Sequence, residues 1–529
     1  MSDLATPEAP PSGKQLHLGW ALVLISVAQL MVVLDASIAN IALPFIGNDL
    51  GIADANLTWI VTGYALAFGG LLLLGGRLGD LYGRRRVFMI GLAVFAVASL
   101  LGGFAQNEAL LLASRGLQGL GAALASPAAL ALITTTFPAG PARNRAFAVY
   151  AAMSGAGAAV GLILGGWLTG LDPVLGLEGW RWTFLINVPI GLVAAFLAPR
   201  FLPESASHAG RLDVPGAITG TLGLLGLVYG FSRAGEEAHG WGDTWTIASL
   251  AAGVALLAAF ALVESRVQHP LLPVRVFAHR TRATSFLVMM LVPAAMFAMF
   301  YFLSLFIQLV VGYSPLRTGF AFLPFSVGIV IGAGLSSTLV NRVDARFIAG
   351  IGTLMATVAL LGFSRLEVPH GTADLLAAAQ GGFLGGDVSY WASIFPFIVL
   401  MAVGMGMVFV PLTLTAVHHL RPEDSGIGSG VLNTMQQVGG ALGLAILSTV
   451  SLQAADGTKT DLVRDLTAQG VPAADAAGLA FLGSFTEGAT AAFLVGAGLI
   501  ALGSLATWLF LDVKHEELAT DGPEGVHVG

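Results

Sequence analysis

Residues 75–91 read GGRLGDLYGRRRVFMIG and lie between two apolar runs, 57–77 and 86–105. Three glycines (Gly76, Gly79, Gly83), the acid Asp80 and the consecutive Arg84, Arg85 and Arg86 describe a tight polar turn at a membrane face. Glycine supplies the backbone freedom such a turn needs, and basic residues collect in cytoplasmic loops. A faded copy, SSTLVNRVDARFIAGIG, stands at 336–352, where Leu339 answers Leu78, Asn341 replaces Asp80 and Gly352 answers Gly91. A second echo pairs SGAGAAVGLILGGW (154–167) with QQVGGALGLAIL (436–447). Both echoes imply one shift, in which spans one to six correspond to spans nine to fourteen and the seventh and eighth form an inserted pair. Two six-helix halves with a site between them is the architecture of alternating access.

Working outward, the 529 residues are 56% hydrophobic and only 10% charged, with a mean hydropathy of +0.82. Soluble domains carry about 25% charged residues, so this composition describes a polytopic all-α membrane protein. Apolar runs long enough to cross a ~30 Å core fall at 19–45, 57–77, 86–105, 109–136, 145–170, 182–200, 214–232 and 245–263. They continue at 283–311, 318–340, 346–364, 391–416, 427–452 and 487–511, about fourteen in all. The expected domains are a disordered cytosolic tail (1–18), a six-helix bundle (19–200), the inserted pair (201–270), a second bundle (271–512) and a cytosolic tail (513–529). The opening MSDLATPEAPPSGKQ has no basic region of the kind a cleaved signal carries. The longest external connections are 365–390 and 453–486; the second is read as a solvated loop or a short amphipathic helix at the interface.

An even number of spans puts both termini on one side. With the termini in the cytoplasm, seventeen Lys and Arg residues fall inside and six outside (Arg181, Arg233, Arg317, Arg365, Lys459, Arg464). The opposite orientation would violate the positive-inside rule. Arg far outnumbers Lys, which suggests a GC-rich bacterial source and hence the bacterial cytoplasmic membrane. Cys is absent, so disulfides and thiolate metal sites are excluded. No Walker-type phosphate loop is present, which excludes ATP as the direct energy source. No H-E-x-x-H motif or Ser–Lys dyad occurs within the spans, so the chain is not expected to be an enzyme.

Asp35 and Arg115 are the charges that interrupt otherwise lipid-compatible runs. A charge near mid-bilayer costs at least about 2.5 kcal/mol on insertion scales, so it faces a cavity or a partner. Counted along their helices, Asp35 lies ~24 Å into the first span and Arg115 ~9 Å from the outer end of the fourth, at comparable depth. Burial favours a neutral carboxyl, whereas a nearby Arg⁺ favours the charged form. The pair can therefore be read as a proton carrier or as a structural polar network.

The chain resembles the major facilitator superfamily, and within it the fourteen-span drug:proton antiporters of the EmrB/QacA type. The resemblance covers nearly the whole chain: LDASIANIALP (34–44), GRLGDLYGRRRVF (76–88), LLLASRGLQGLGAA (110–123), GAAVGLILGG (157–166), WRWTFLINVPIG (180–191), GYSPLRTG (312–319) and SGIGSGVLNTMQQVGGALG (425–443). Leu81 stands where a basic residue is usual, and Leu162 where the antiporter motif has a proline. TTFPAGPARNRA and the proline-free VGLILGG also resemble the EfpA-like branch.

The resemblance implies a proton-coupled efflux antiporter of multidrug-resistance type, with Asp35 and Arg115 in proton coupling, protons as the coupling ion and no cofactor. Gly76, Asp80, Gly83, Arg84 and Arg85 would form a cytoplasmic gate. Gly157, Gly161, Gly165 and Gly166 would form the antiporter seam, a small-residue ridge that lets another helix approach closely. Gln29, Asn40, Gln118, Met296, Phe300, Gln308, Asn433, Gln436 and Gln437 are candidates for the substrate cavity. Met289, Met290, Met299 and Phe297 would add an adaptable apolar wall, or simply face lipid and core. His418 and His419 are read as a solvated helix end rather than a metal site. Expected partners are small amphiphilic or lipid-like substrates and membrane lipids, with no nucleic acid, and the expected state is a monomer. Export of a lipid or dedicated natural product, and a non-transporting receptor, are the alternatives.

Overall fold

The computed structural model describes residues 18–138, 141–204, 212–236, 238–268, 270–368, 371–379, 383–386, 388–418 and 425–520. Among them the chain is helical throughout, and the one β-bridge, Val174 to Leu177, is isolated. The first half comprises α1 (Leu18–Leu50), α2 (Asp54–Tyr82), α3 (Arg84–Gly103), α4 (Glu108–Thr136), α5 (Pro141–Thr169), α6 (Gly179–Leu185) and α7 (Asn187–Phe201). The inserted pair is α8 (Val214–Ala234) and α9 (Thr244–Arg266). The second half comprises α10 (Arg280–Leu305), α11 (Pro315–Leu339), α12 (Ala345–Phe363), α13 (Thr372–Ala379), α14 (Phe395–Val417), α15 (Ser425–Ala468), α16 (Ala473–Phe510) and α17 (His515–Thr520). Thirteen of the helical stretches are long and apolar enough to span a membrane; α5, with its shorter apolar run Gly157–Thr169, makes the fourteenth.

The sixth span is broken between α6 and α7. Pro189 has no N–H to give the carbonyl one turn back, and the break sets Asn187 at the head of α7.

Packing repeats across the halves. α1 packs on α5 and α7, and α10 on α15 and α16; α4 packs on α2 and α3, and α14 on α11 and α12. The interface obeys the same symmetry, pairing α2 with α15 and α5 with α11. α8 lies against both α2 and α15, while α9 packs on α8 and is otherwise largely exposed.

The echo at 336–352 has a structural counterpart. In each half, the turn between the second and third spans is held by a polar residue that follows the last spanning helix. Glu204 accepts the Arg85 backbone N–H at 3.2 Å in the first half. In the second, Asp344 accepts the His515 backbone N–H at 3.0 Å and meets the His515 ring at 3.0 Å. That histidine holds the Asp344 carboxyl below its ordinary value.

The connection expected at 453–486 takes a different form. α15 runs on to Ala468, the chain turns at Gly470 with φ +87°, and α16 starts at Ala473. The extension is amphipathic: Leu462 and Leu466 are buried at helical spacing, as are Ala476 and Ala480 of α16 and Leu375 of α13. Arg464 pairs on its exposed side with Asp461 at 3.0 Å and Asp465 at 3.4 Å. Those apolar positions are satisfied by a helical hairpin with α13 against it, in line with the spanning helices rather than as a separate interfacial helix.

Candidate functional site

Asp35 of α1 and Arg115 of α4 form an ion pair of 2.6 Å with 3% and 1% of their side chains exposed. The other Asp35 oxygen accepts Gln118 Nε2 at 2.9 Å and Asn187 Nδ2 at 3.0 Å. Arg115 also donates to Gln118 Oε1 at 2.8 Å and to the Ile60 carbonyl at 2.7 Å, and its guanidinium lies 4.5 Å from the centre of the Tyr64 ring. Gln118 Nε2 reaches Ser99 Oγ at 2.8 Å. One carboxylate thus joins α1 and α4 to α7, while α2 and α3 complete the shell. A buried ion pair offsets its desolvation only when the remaining polar valences are met in this way.

The two charges lie at one depth, but every partner named belongs to the first half, so the pair sits inside that half and not on the surface between the halves. Gln118 belongs to this buried network rather than to a substrate cavity. Asn187, Ser99 and Tyr64 were not singled out from sequence; the single amide in the sixth span, two residues before a proline, was the available signal.

In the turn after α2, Asp80 pairs with Arg84 at 3.1 Å, and Arg84 also donates to the Ala131 carbonyl of α4 at 3.3 Å. Arg85 donates to the Leu202 carbonyl at 3.0 Å and lies 3.4 Å from Glu204, which Arg86 approaches at 3.7 Å. Gly83 has φ +98°, and a Cβ there would stand 2.6 Å from Glu204 Oε1. Gly76 is less constrained; a Cβ would find Pro127 at 3.7 Å. Glu204 is the member of this cluster that sequence reading missed.

The glycines of α5 divide between two partners. Gly157, Gly161 and Gly165 face Val33, Leu34, Ser37 and Ile38 of α1, where an added Cβ would lie 2.9–3.2 Å from the nearest atom. Gly166 is turned toward the other half, against the Pro315 carbonyl, and Gly319 of α11 sits against the Leu162 carbonyl. The four are therefore not one face: three close a seam within the first half and one helps close the seam between halves.

The proposed cavity residues are scattered. Tyr150 donates to Gln29 at 2.7 Å inside the first half. Asn40 donates to the Ala36 carbonyl at 3.2 Å, and its own carbonyl accepts Ser304 Oγ of α10 at 3.2 Å, a bond between halves. Gln308 bonds Ser304 within the same helix at 3.1 Å. Phe300 stacks on Phe322 and meets Phe325 edge-on, and Met289 and Met299 are fully buried in the second-half core. Met296, Gln436 and Gln437 are half-buried and Asn433 is exposed. Gln437 lies in the seam beside Gly69 of α2. His418 is buried 3.7 Å from Glu517, not solvated as expected; its neighbour His419 lies outside the described residues.

None of these candidates lines the cavity of about 690 Å³ at the end opposite the arginine turns. That space lies between the end of α1, the start of α2, the α8–α9 turn, α10, and the extended parts of α15 and α16. Pro44, Leu57, Tyr301, Leu305, Phe481 and Phe485 give it a mostly apolar wall, with Asn48, Glu236 and Lys459 among its polar members. Among the described residues no group of three or more His, Cys, Asp or Glu could hold a metal.

The description "Major Facilitator Superfamily" matches residues 25–444. The chain is 41% identical over 531 residues to the puromycin resistance protein pur8 of Streptomyces alboniger, covering 99% of this chain and 98% of that one. It is 39% identical over 431 residues to the uncharacterized MFS-type transporter EfpA of Mycobacterium tuberculosis, covering 81% and 76%. It is 40% identical over 449 residues to the cephamycin export protein CmcT of Amycolatopsis lactamdurans, covering 84% and 87%. Among solved structures, a bacterial homologue of the human lysosomal transporter Spinster, inward-facing and occupied, superposes with a TM-score of 0.65 at 15% identity over 96% of this chain and 99% of that one.

Proposed function

This chain belongs to the Major Facilitator Superfamily and is an efflux transporter rather than an enzyme; from that premise we propose that it expels small amphiphilic molecules from the bacterial cytoplasm in exchange for protons. The arginine turns and both termini face the cytoplasm in this reading, which the seventeen-to-six distribution of basic residues supports. Asp35 is the group that gains and loses the proton, and the observation that carries this is its buried ion pair with Arg115. Protonating Asp35 cancels that pair and leaves Arg115 with neutral acceptors on Gln118 and Ile60. α1 would then be free to shift against α4. The same helix lies in the seam against Gly161 of α5 and carries the Asn40–Ser304 bond to the second half, so its displacement reaches the interface between halves.

Cargo is proposed to be an apolar or aromatic body with few polar groups, the antibiotic and natural-product chemistry named for the exporter relatives. Ligand cavities of about 300–1,000 Å³ hold compounds of this class, and the mostly apolar space beside Tyr301 and Phe485 suits such a body. Lipid-like cargo fits the same lining. All residues in this reading come from one chain, so a monomer suffices.

The test uses everted vesicles carrying wild type or Asp35→Asn, with puromycin, a cephamycin and a fluorescent lipid as cargo. Wild type should release protons on cargo addition and accumulate one of these compounds. Asp35→Asn should remain in the membrane and pass cargo only down its own gradient. Wild-type accumulation by the variant would end the assignment of the proton to Asp35.

A further inference from the structure

A second acid pair lies away from Asp35, where the inserted helices meet the arginine end. Asp213 caps the start of α8 and Glu264 sits in the last turn of α9, 2% and 4% exposed. One oxygen of each is satisfied by backbone: Asp213 Oδ1 accepts Gly216 N–H at 2.8 Å, and Glu264 Oε2 accepts Leu272 N–H at 2.9 Å. The remaining oxygens, Asp213 Oδ2 and Glu264 Oε1, are fully buried and have no donor among the described residues. Both crowd the space a Cβ of Gly216 would fill, at 2.4 Å and 2.8 Å from that one point, so the two unpaired oxygens lie no more than about 5.2 Å apart. Two acceptors cannot bond without a hydrogen between them, and two buried carboxylates this close do not both ionise. We propose that Asp213 and Glu264 hold one proton between them, making a proton-binding site that clasps the inserted pair.

The site ties the first residue before α8 to the end of α9 and, through Leu272, to the segment that enters α10. The proton's departure places two like charges in a dry contact and loosens that junction, so occupancy sets how firmly the inserted pair is held to the second half. At this end the charges on packed elements are Arg77 and Asp80 of α2, the exposed Arg266 of α9 and Arg275 in the segment after Leu272; the stretch 425–452 of α15, facing α8, carries none. His208, Arg211, His269 and the segment 419–424 lie outside the described residues. Nothing here depends on Asp35, so the vesicle test above and this one can fail separately.

Infrared spectra of the purified full chain over a pH series test the proposal, with Asp213→Asn and Glu264→Gln, each of which replaces the shared hydrogen by an amide donor. Wild type should show a protonated-carboxyl band that disappears in one transition as pH rises, and each variant should lack that band. Thermal unfolding gives a second readout: wild type should lose stability through the same transition, and both variants should be flat across it. Absence of the band from wild type, its survival in both variants, or its removal by magnesium or calcium at constant pH would each overturn the shared-proton site.

Discussion

Asp35 receives donors from Arg115, Gln118 and Asn187, and the three are not equivalent. Removing one neutral donor to a charged acceptor costs about 1.5–3 kcal/mol, whereas removing one member of a buried ion pair costs about 3–5 kcal/mol because its partner stays charged and dry. Asn187→Ala is therefore expected to lower thermal stability in detergent, and Arg115→Ala to lower it further; equal losses would show that Asn187 carries more than a hydrogen bond. Asp35 and Arg115 were legible in the sequence because ionised groups in apolar runs have few explanations. Asn187 was less conspicuous, since a single amide in a span is common and its role arises only where Pro189 breaks the helix. The Ile60 carbonyl carries no side-chain signal at all.

At the level of elements, the turn at 75–91 works through its backbone. Gly83 combines φ +98° with the close approach of Glu204, so Gly83→Ala meets strain of about 1–3 kcal/mol. Its expected effect is to loosen the α2–α3 turn, read as faster proteolysis of everted vesicles at the arginines; Gly76→Ala, with room around it, should leave proteolysis unchanged. In the second half the corresponding tie is Asp344 to His515. Its carboxyl is held down in the folded state, so the tie stabilises above the unfolded carboxylate value and is lost as pH falls through the folded one. Protection of the α17 amides, taken relative to their intrinsic exchange rates, should therefore fall on acidification, and Asp344→Asn should remove that dependence. The repeat of the two turns was readable from sequence. Their acidic and histidine partners were not, because they lie at 204 and 515, far along the chain and outside the echo.

For the whole molecule, the halves approach backbone to backbone where Gly166 lies on Pro315 and Gly319 lies on Leu162. A side chain larger than glycine there cannot be accommodated by a flexible neighbour, since the atoms met are backbone. Gly319→Leu is expected to wedge this end apart and shift the population toward conformers open there. The absence of cysteine makes the measurement direct: spin labels on a cysteine pair introduced at Trp167 of α5 and Leu316 of α11 should read a longer separation in Gly319→Leu than in the parent chain. Fourteen spans, two halves and an inserted pair could be read from apolar runs and echoes. The large cavity could not, because it is bounded by parts of α15 and α16 that the hydropathy windows assigned to a loop.

That unbroken continuation has a mechanical consequence. With 44 residues, α15 is about 66 Å long, and it is seated in one half along its membrane portion. Tilting that half by roughly ten degrees would swing the far tip near Gly470 through roughly 10 Å, given a rigid helix of this length. The hairpin is thus a lever arm, and a spectroscopic probe on its exposed tip would report the rocking of the second half without touching either the ion pair or the cavity.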